Sequence, residues 1–65
     1  MGKKEVEELF MTLQFNEVLD ILLENKVINK RIYDYYTKLY YDAKNENDID
    51  NYKEDFIEGV IDYLY

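Results

Sequence analysis

The chain has no cysteine, histidine, proline or tryptophan, and it has only two glycines. The lack of cysteine excludes disulfides and thiolate metal sites, and the lack of histidine removes the commonest residue of zinc and general-base chemistry. Strands joined by tight turns are hard to build without proline and with so little glycine. The sequence must therefore form its fold by packing alone.

Long hydrophobic runs are also missing, since no unbroken apolar stretch exceeds three residues. A transmembrane helix is therefore not expected. Lys3 and Lys4 are followed by glutamates rather than by an apolar segment, so no signal peptide is predicted and a cytoplasmic location is expected. The acidic polar surface also disfavours binding to anionic lipids.

Apolar residues nevertheless make up 48% of the 65 residues and aromatic residues 17%, which is too much for a disordered chain. A chain of this length has room for one domain and buries only about 60% of its unfolded surface, so its core is thin. We expect a single folded domain over residues 1–65. Self-association is an open alternative.

Hydrophobic spacing predicts an all-α protein. Two early stripes follow the i, i+3, i+4, i+7 rule, and at about 100° per residue they lie on opposite sides of one straight helix. The first stripe is Val6, Leu9, Phe10 and Leu13, and the second is Phe15, Val18, Leu19 and Leu22. A helix sandwiched between two partners would explain both stripes, but we favour a break between Thr12 and Asn16 with one of these two residues as N-cap.

Two further helices follow this segment. Asn29 is the expected N-cap of the third helix, and Asn47 or Asp48 is the expected N-cap of the last. The inward stripe of the third helix is Ile28, Ile32, Tyr35 and Leu39, and that of the last is Ile49, Tyr52, Phe56, Val60, Tyr63 and Leu64. The predicted helices cover roughly residues 3–13, 16–25, 29–44 and 48–65, which gives a small antiparallel bundle of three helices, or four if the first segment is split.

Negative charge is concentrated at one end of the chain. The last 24 residues carry −6 of the total charge of −7. The carboxylates of this segment are Asp42, Glu46, Asp48, Asp50, Glu54, Asp55, Glu58 and Asp62. Five of them are expected on the polar side of the last helix, namely Asp48, Glu54, Asp55, Glu58 and Asp62. Charge complementarity makes a basic partner the natural match for this side.

The acidic side has three interpretations. The simplest is a solvated surface that keeps the protein in solution. It also suits a basic protein partner, or a mimic of nucleic acid, because carboxylates four and seven residues apart are separated by about 6 and 10.5 Å along a helix. Acids at a helix N-terminus stabilise the helix dipole, whereas Asp62 lies near the C-terminus and is therefore the residue most indicative of binding.

Tyrosine is abundant, with eight residues in the chain and five of them within nine positions. These five are Tyr33, Tyr35, Tyr36, Tyr40 and Tyr41. Tyr35 lies on the apolar stripe and is expected in the core. The tyrosine row, defined as Tyr33, Tyr36 and Tyr40, is expected to meet the first helices, a second subunit or another protein.

Direct binding of nucleic acid is a weaker alternative. Residues 16–36 could form a helix-turn-helix with Arg31 in a groove, and nearby lysines lie among tyrosines that can stack on bases. These lysines are Lys26, Lys30 and Lys38. Repulsion between phosphates and a chain of charge −7 opposes such binding, so no direct contact with nucleic acid is expected.

No metal, cofactor or catalytic site is predicted. An EF-hand starting at Asp48 fails, because Tyr52, Lys53 and Gly59 stand where an oxygen ligand, a glycine and a glutamate are required. The chain has no nucleophile with a base beside it and no glycine-rich phosphate loop. We therefore do not expect an enzyme.

Together these patterns predict a non-enzymatic regulator or inhibitor that binds a basic surface of a partner protein. A nucleic-acid-binding protein is the favoured partner, as for phage- or plasmid-type inhibitors, antirepressors and DNA mimics. The alternatives are an adaptor that forms a homodimer through its tyrosines and the helix-turn-helix binder. The expected partner-binding residues are Glu54, Asp55, Glu58 and Asp62 for charge and Tyr36, Tyr40 and Tyr41 for anchoring.

Overall fold

The computed structural model describes residues 1–64 and confirms the small all-α bundle. Within these residues the chain forms four helices and no strand. The helices are α1 (Lys3–Thr12), α2 (Phe15–Glu24), α3 (Lys30–Asp42) and α4 (Glu46–Asp55). A π-helical turn, Phe56–Ile61, and a last α-helical turn, Asp62–Leu64, continue directly from α4. The predicted end of this helix at Tyr65 lies outside the described residues.

The predicted break between the first two apolar stripes is confirmed. Leu13 and Gln14 have extended backbone conformations, so the chain bends between α1 and α2 and both stripes reach one core. The expected N-caps, Thr12 and Asn16, are wrong, because Gln14 precedes α2 and its side chain makes no capping hydrogen bond. The Thr12 hydroxyl instead donates to the Glu8 carbonyl oxygen at 3.1 Å in the last turn of α1.

The turn after α2 is closed by its own backbone. Lys26 has a positive φ of 60°, the left-handed conformation that commonly ends helices. Its amide donates to the Leu23 carbonyl at 3.1 Å, and the Val27 amide donates to the Leu22 carbonyl at 2.9 Å. This pair of hydrogen bonds is the Schellman arrangement, and it reverses the chain toward α3 without glycine.

Asparagine side chains cap α3 and α4. Asn29 is confirmed as the N-cap of α3, since its side-chain oxygen accepts from the Ile32 amide at 2.9 Å. The N-cap of α4 is Asn45, whose side-chain oxygen accepts from the Asp48 amide at 3.0 Å. Asn47 and Asp48 were therefore the wrong candidates, and both lie inside the helix.

The π-helical turn decides which residues of the last helix are buried. Phe56 and Ile61 are both 0% exposed, although residues five apart point about 140° apart on an α-helix. A π-helix, with hydrogen bonds from residue i to i+5, brings them to the same side. The predicted apolar side is therefore right for Phe56 and misses Ile61. It is wrong for Tyr63, which is 88% exposed, and for Leu64, which is also exposed.

The last helix runs antiparallel to α1, and α3 runs antiparallel to α2. Phe10 near the end of α1 packs on Phe56, whereas Lys3 at the start of α1 pairs with Asp62 near the end of the chain. Between α2 and α3, the paired residues are Phe15 with Tyr40 and Asp20 with Tyr33. Leu64 borders the α2–α3 turn, and Lys3 pairs with Asp62, so these parts share one end of the bundle. The α1–α2 bend shares the other end with the start of α4.

Phe56 lies at the centre of the core. Its ring centroid is 5.6 Å from that of Phe10, 5.9 Å from that of Phe15 and 4.8 Å from that of Tyr36. These contacts are edge-to-face, the geometry that aromatic quadrupoles favour. The other buried core residues are Val6, Val18, Leu19, Leu22, Ile28 and Ile61. One aromatic residue of the last helix thus joins α1, α2 and α3.

Candidate partner-binding surface

Three of the predicted charged residues form an acidic patch, which we define as Glu54, Asp55 and Glu58. All three are exposed and lie within one turn of one another along the last helix. Among residues 1–64, no lysine or arginine forms an ion pair with any of them. The negative charge of the acidic patch is therefore free to act on a partner.

Asp62 has a structural contact that the sequence did not indicate. Its carboxylate pairs with the Lys3 ammonium, and this hydrogen bond, reinforced by the charge of Asp62, raises the pKa of Lys3. The interpretation of Asp62 as the carboxylate most indicative of binding is therefore weakened. Its position near a helix C-terminus is explained by the N-terminal lysine of another helix, which no spacing within the last segment could reveal.

Lys53 is also directed away from the acidic patch. Its ammonium donates to the Phe10 carbonyl oxygen at 3.4 Å, in the last turn of α1. A lysine at this place satisfies a carbonyl that the helix itself leaves unpaired and complements the negative end of the helix dipole. The lysine nearest in sequence to Glu54 and Asp55 thus stabilises the bundle.

The tyrosine row packs within the chain. Tyr33, Tyr36 and Tyr40 all contact the core and are partly buried. The Tyr33 hydroxyl donates to Asp20 at 2.5 Å, and the Tyr40 hydroxyl donates to Gln14 at 3.4 Å. The first of the three expected surroundings, the first helices, is the one observed in this chain.

Tyr36 joins the aromatic core to the acidic patch. Burial raises the pKa of its hydroxyl, and the proximity of Tyr35 and of the Asp55 carboxylate raises this pKa further. Its ring meets those of Phe15 and Phe56 edge to face. Tyr36 is therefore a partly buried residue that packs on the core and whose hydroxyl lies near Asp55 of the acidic patch.

The most exposed tyrosines of α3 are Tyr35 and Tyr41, and exposure of Tyr35 was not predicted. Tyr35, predicted in the core, is 61% exposed, because α3 turns the tyrosine row and not Tyr35 toward α2. It lies against Tyr36, with a centroid distance of 5.1 Å. Tyr41, a predicted anchor, is 70% exposed beside Tyr40. Tyr35 and Tyr41 are thus the tyrosines of α3 that a partner can reach.

A groove that the sequence did not predict opens at the end of the bundle where α1 bends into α2. It has a volume of about 340 Å³ and lies between this bend, the end of α3 and the start of α4. Its lining residues are Leu13, Gln14, Phe15, Tyr40, Glu46, Ile49, Asp50 and Lys53. Of the predicted anchors, only Tyr40 belongs to it. The bend is far in sequence from the lining residues of α3 and α4, so no local spacing could have indicated the groove.

The helices proposed for a helix-turn-helix lie side by side. Phe15 contacts Tyr40 and Asp20 contacts Tyr33, so the two helices stay together over the first half of α2, whereas the helices of a helix-turn-helix cross at about 90–120°. Lys30, one of the basic residues of this region, pairs with Asp34 at 3.4 Å. This arrangement gives no support to direct nucleic-acid binding.

Comparison with protein-family models, with curated proteins and with solved structures finds no match to this chain. Among residues 1–64, no helix combines the length and the apolar character needed to cross a membrane. In the same residues, no three carboxylates converge as ligands of a metal ion would.

Proposed function

We propose that this chain is a binding protein whose acidic patch docks on a basic surface of another protein. The observation that carries the proposal is that Glu54, Asp55 and Glu58 are exposed and form no ion pair within residues 1–64. Such carboxylates attract a basic surface over several ångströms and favour the correct orientation during encounter.

An exposed tyrosine of α3, Tyr35, provides apolar area for the same contact. Tyr35 lies against Tyr36, and the charge of Asp55 contributes to the raised pKa of the Tyr36 hydroxyl. Tyrosine contributes a large contact area at low conformational cost, so Tyr35 replaces Tyr36 as the proposed anchor. Rate and selectivity come from the carboxylates, and residence time comes from the ring.

The favoured partner is a protein that handles nucleic acid, and binding would block its basic surface. A strict copy of a phosphate row has less support. The row of Asp48, Asp55 and Asp62 is not free along its length, because Asp62 pairs with Lys3 and the Asp48 carboxylate accepts from the Lys44 amide at 3.4 Å. A compact acidic patch remains, which suits a basic surface without requiring the periodicity of a strand.

The test is a charge reversal with a matched control. Glu54→Lys combined with Glu58→Lys changes the net charge by the same amount as Glu8→Lys combined with Glu24→Lys, two exposed glutamates on α1 and α2. Each protein is immobilised and used to capture partners, at low and high salt, from a lysate of the cells in which the chain is naturally made. Captured proteins are identified by mass spectrometry and re-tested in purified form.

We expect the wild type and the α1/α2 control to capture the same basic protein, with recovery falling as salt screens the contact. The Glu54/Glu58 variant should lose this protein while its circular dichroism spectrum stays helical. Equal capture by the Glu54/Glu58 variant would contradict the proposal. Capture that does not weaken with salt would also contradict it.

A further inference from the structure

The floor of the groove is apolar and only partly covered. Phe15 is 2% exposed, and Leu13 and Ile49 beside it are half-buried. The bend at residues 13–14 and the connection between α3 and α4 leave this end of the bundle without a covering helix. Leu13 and Ile49 thus remain within reach of a side chain from outside.

The rim of the groove carries two exposed carboxylates, Glu46 and Asp50. They lie one helical turn apart on α4 and form no ion pair within residues 1–64. Capping of α4 is performed by Asn45. Lys53, the one cation among the lining residues within 1–64, directs its ammonium to the Phe10 carbonyl oxygen. The rim therefore offers carboxylates above an apolar floor.

We propose that the groove binds an arginine side chain together with an adjacent apolar side chain of a protein segment. The arginine stem covers apolar surface while its guanidinium reaches Glu46 and Asp50, and the apolar neighbour packs on Leu13 and Ile49. A volume of about 340 Å³ suits one or two side chains, and the open side lets the rest of the segment continue past. This binding uses carboxylates outside the acidic patch and does not depend on the proposed function.

The test titrates ¹⁵N-labelled protein with a defined probe, N-acetyl-leucyl-arginine amide, and follows backbone amide shifts. Two control probes each remove one feature. N-acetyl-leucyl-citrulline amide keeps the shape but not the charge, and N-acetyl-glycyl-arginine amide keeps the charge but not the apolar side chain. We expect saturable shifts at residues 13–15 and 46–53, and binding weaker by about threefold or more for either control probe, as for a partly exposed ion pair or a lost apolar contact.

Paired variants place the effect on the rim. Glu46→Gln with Asp50→Asn should weaken the leucyl-arginine probe, whereas Glu54→Gln with Glu58→Gln removes the same charge at the same spacing and should leave the shifts at residues 13–15 unchanged. Equal binding of the leucyl and glycyl probes, or shifts centred on residues 54–58, would overturn the proposal by showing general attraction to acids. The comparison of probes on the wild-type protein does not depend on the folding of any variant. Capture through Glu54 and Glu58 is measured separately, so either proposal can fail alone.

Discussion

The two halves of the last helix both carry exposed carboxylates, but these carboxylates have different neighbours. In residues 46–53, Glu46 and Asp50 border a groove with an apolar floor. In residues 54–62, Glu54 and Glu58 lie on the exposed side of a segment whose other side forms the centre of the core. Carboxylates at an identical spacing thus suit a single inserted side chain in one half and long-range attraction in the other.

The contacts of two lysines decide which carboxylates of the last helix stay unpaired. Lys53 lies in the groove, but its ammonium is held by the Phe10 carbonyl oxygen, while Lys3 pairs with Asp62 at the far end. Glu54, Asp55 and Glu58, which lie along the last helix between Lys53 and Asp62, form no ion pair within residues 1–64. The sequence therefore overestimates the free negative charge at Asp62, which Lys3 neutralises. It underestimates the free negative charge at Glu54 and Asp55, because neighbouring Lys53 is directed elsewhere.

The largest expected effect concerns the second half, where the π-helical turn buries Ile61 and leaves Val60 half-buried. Ile61→Ala should lower the free energy of unfolding by about 2–5 kcal/mol, since the site is fully enclosed. Val60→Ala should cost clearly less. Urea denaturation of both variants measures the difference, and a larger loss for Val60→Ala would show that the turn is α-helical instead.

A smaller effect is expected at the start of the first half. Asn45→Ala removes the side-chain oxygen that accepts from the Asp48 amide, and it should lower the free energy of unfolding by about 1 kcal/mol. Asn47→Ala, inside the helix, is the matched control and should be close to neutral or mildly stabilising. Thermal melts followed by circular dichroism compare the two. Equal losses at both positions would place the cap elsewhere.

The smallest effect is the dependence of stability on alkaline pH through Tyr36, which lies against the second half. Because burial raises its folded pKa above the ordinary value of 10.0, the unfolded state loses this proton first as the pH rises. The contribution of Tyr36 is unchanged below pH 10 and is lost progressively above it. Tyr36→Phe should therefore show a shallower decline in the free energy of unfolding above about pH 10 than the wild type. Parallel declines would contradict the raised pKa.

The sequence predicted the parts of the fold that depend on local patterns. Apolar spacing located the helices, and two opposed stripes indicated the break between α1 and α2. Asn29 was identified as an N-cap because asparagine is favoured at that position and because it stands at the start of the predicted third helix. At α4, Asn45, Asn47 and Asp48 all have suitable side chains, so local chemistry could not choose among them.

The remaining errors concern features set by distant segments. The α-helical period failed at residues 56–61, since tertiary packing aligns Phe56 with Ile61 through a π-helical turn. Tyr35 was predicted to be buried because it lies on the apolar stripe of the third helix. In the structure the tyrosine row faces α2 instead, and Tyr35 is exposed. The pairing of Asp62 with Lys3 joins residues from opposite ends of the chain, and the groove is built from three segments. No spacing within one helix contains this information.

The ion pair between Lys3 and Asp62 has a practical consequence for handling the molecule. It brings both ends of the described chain to one pole of the bundle, and the groove opens at the opposite pole. An affinity tag fused at either end would therefore anchor the protein to a resin with the groove pointing outward. The same proximity makes the fold suited to circular permutation, with a short linker across the ends and new termini opened in the α2–α3 turn.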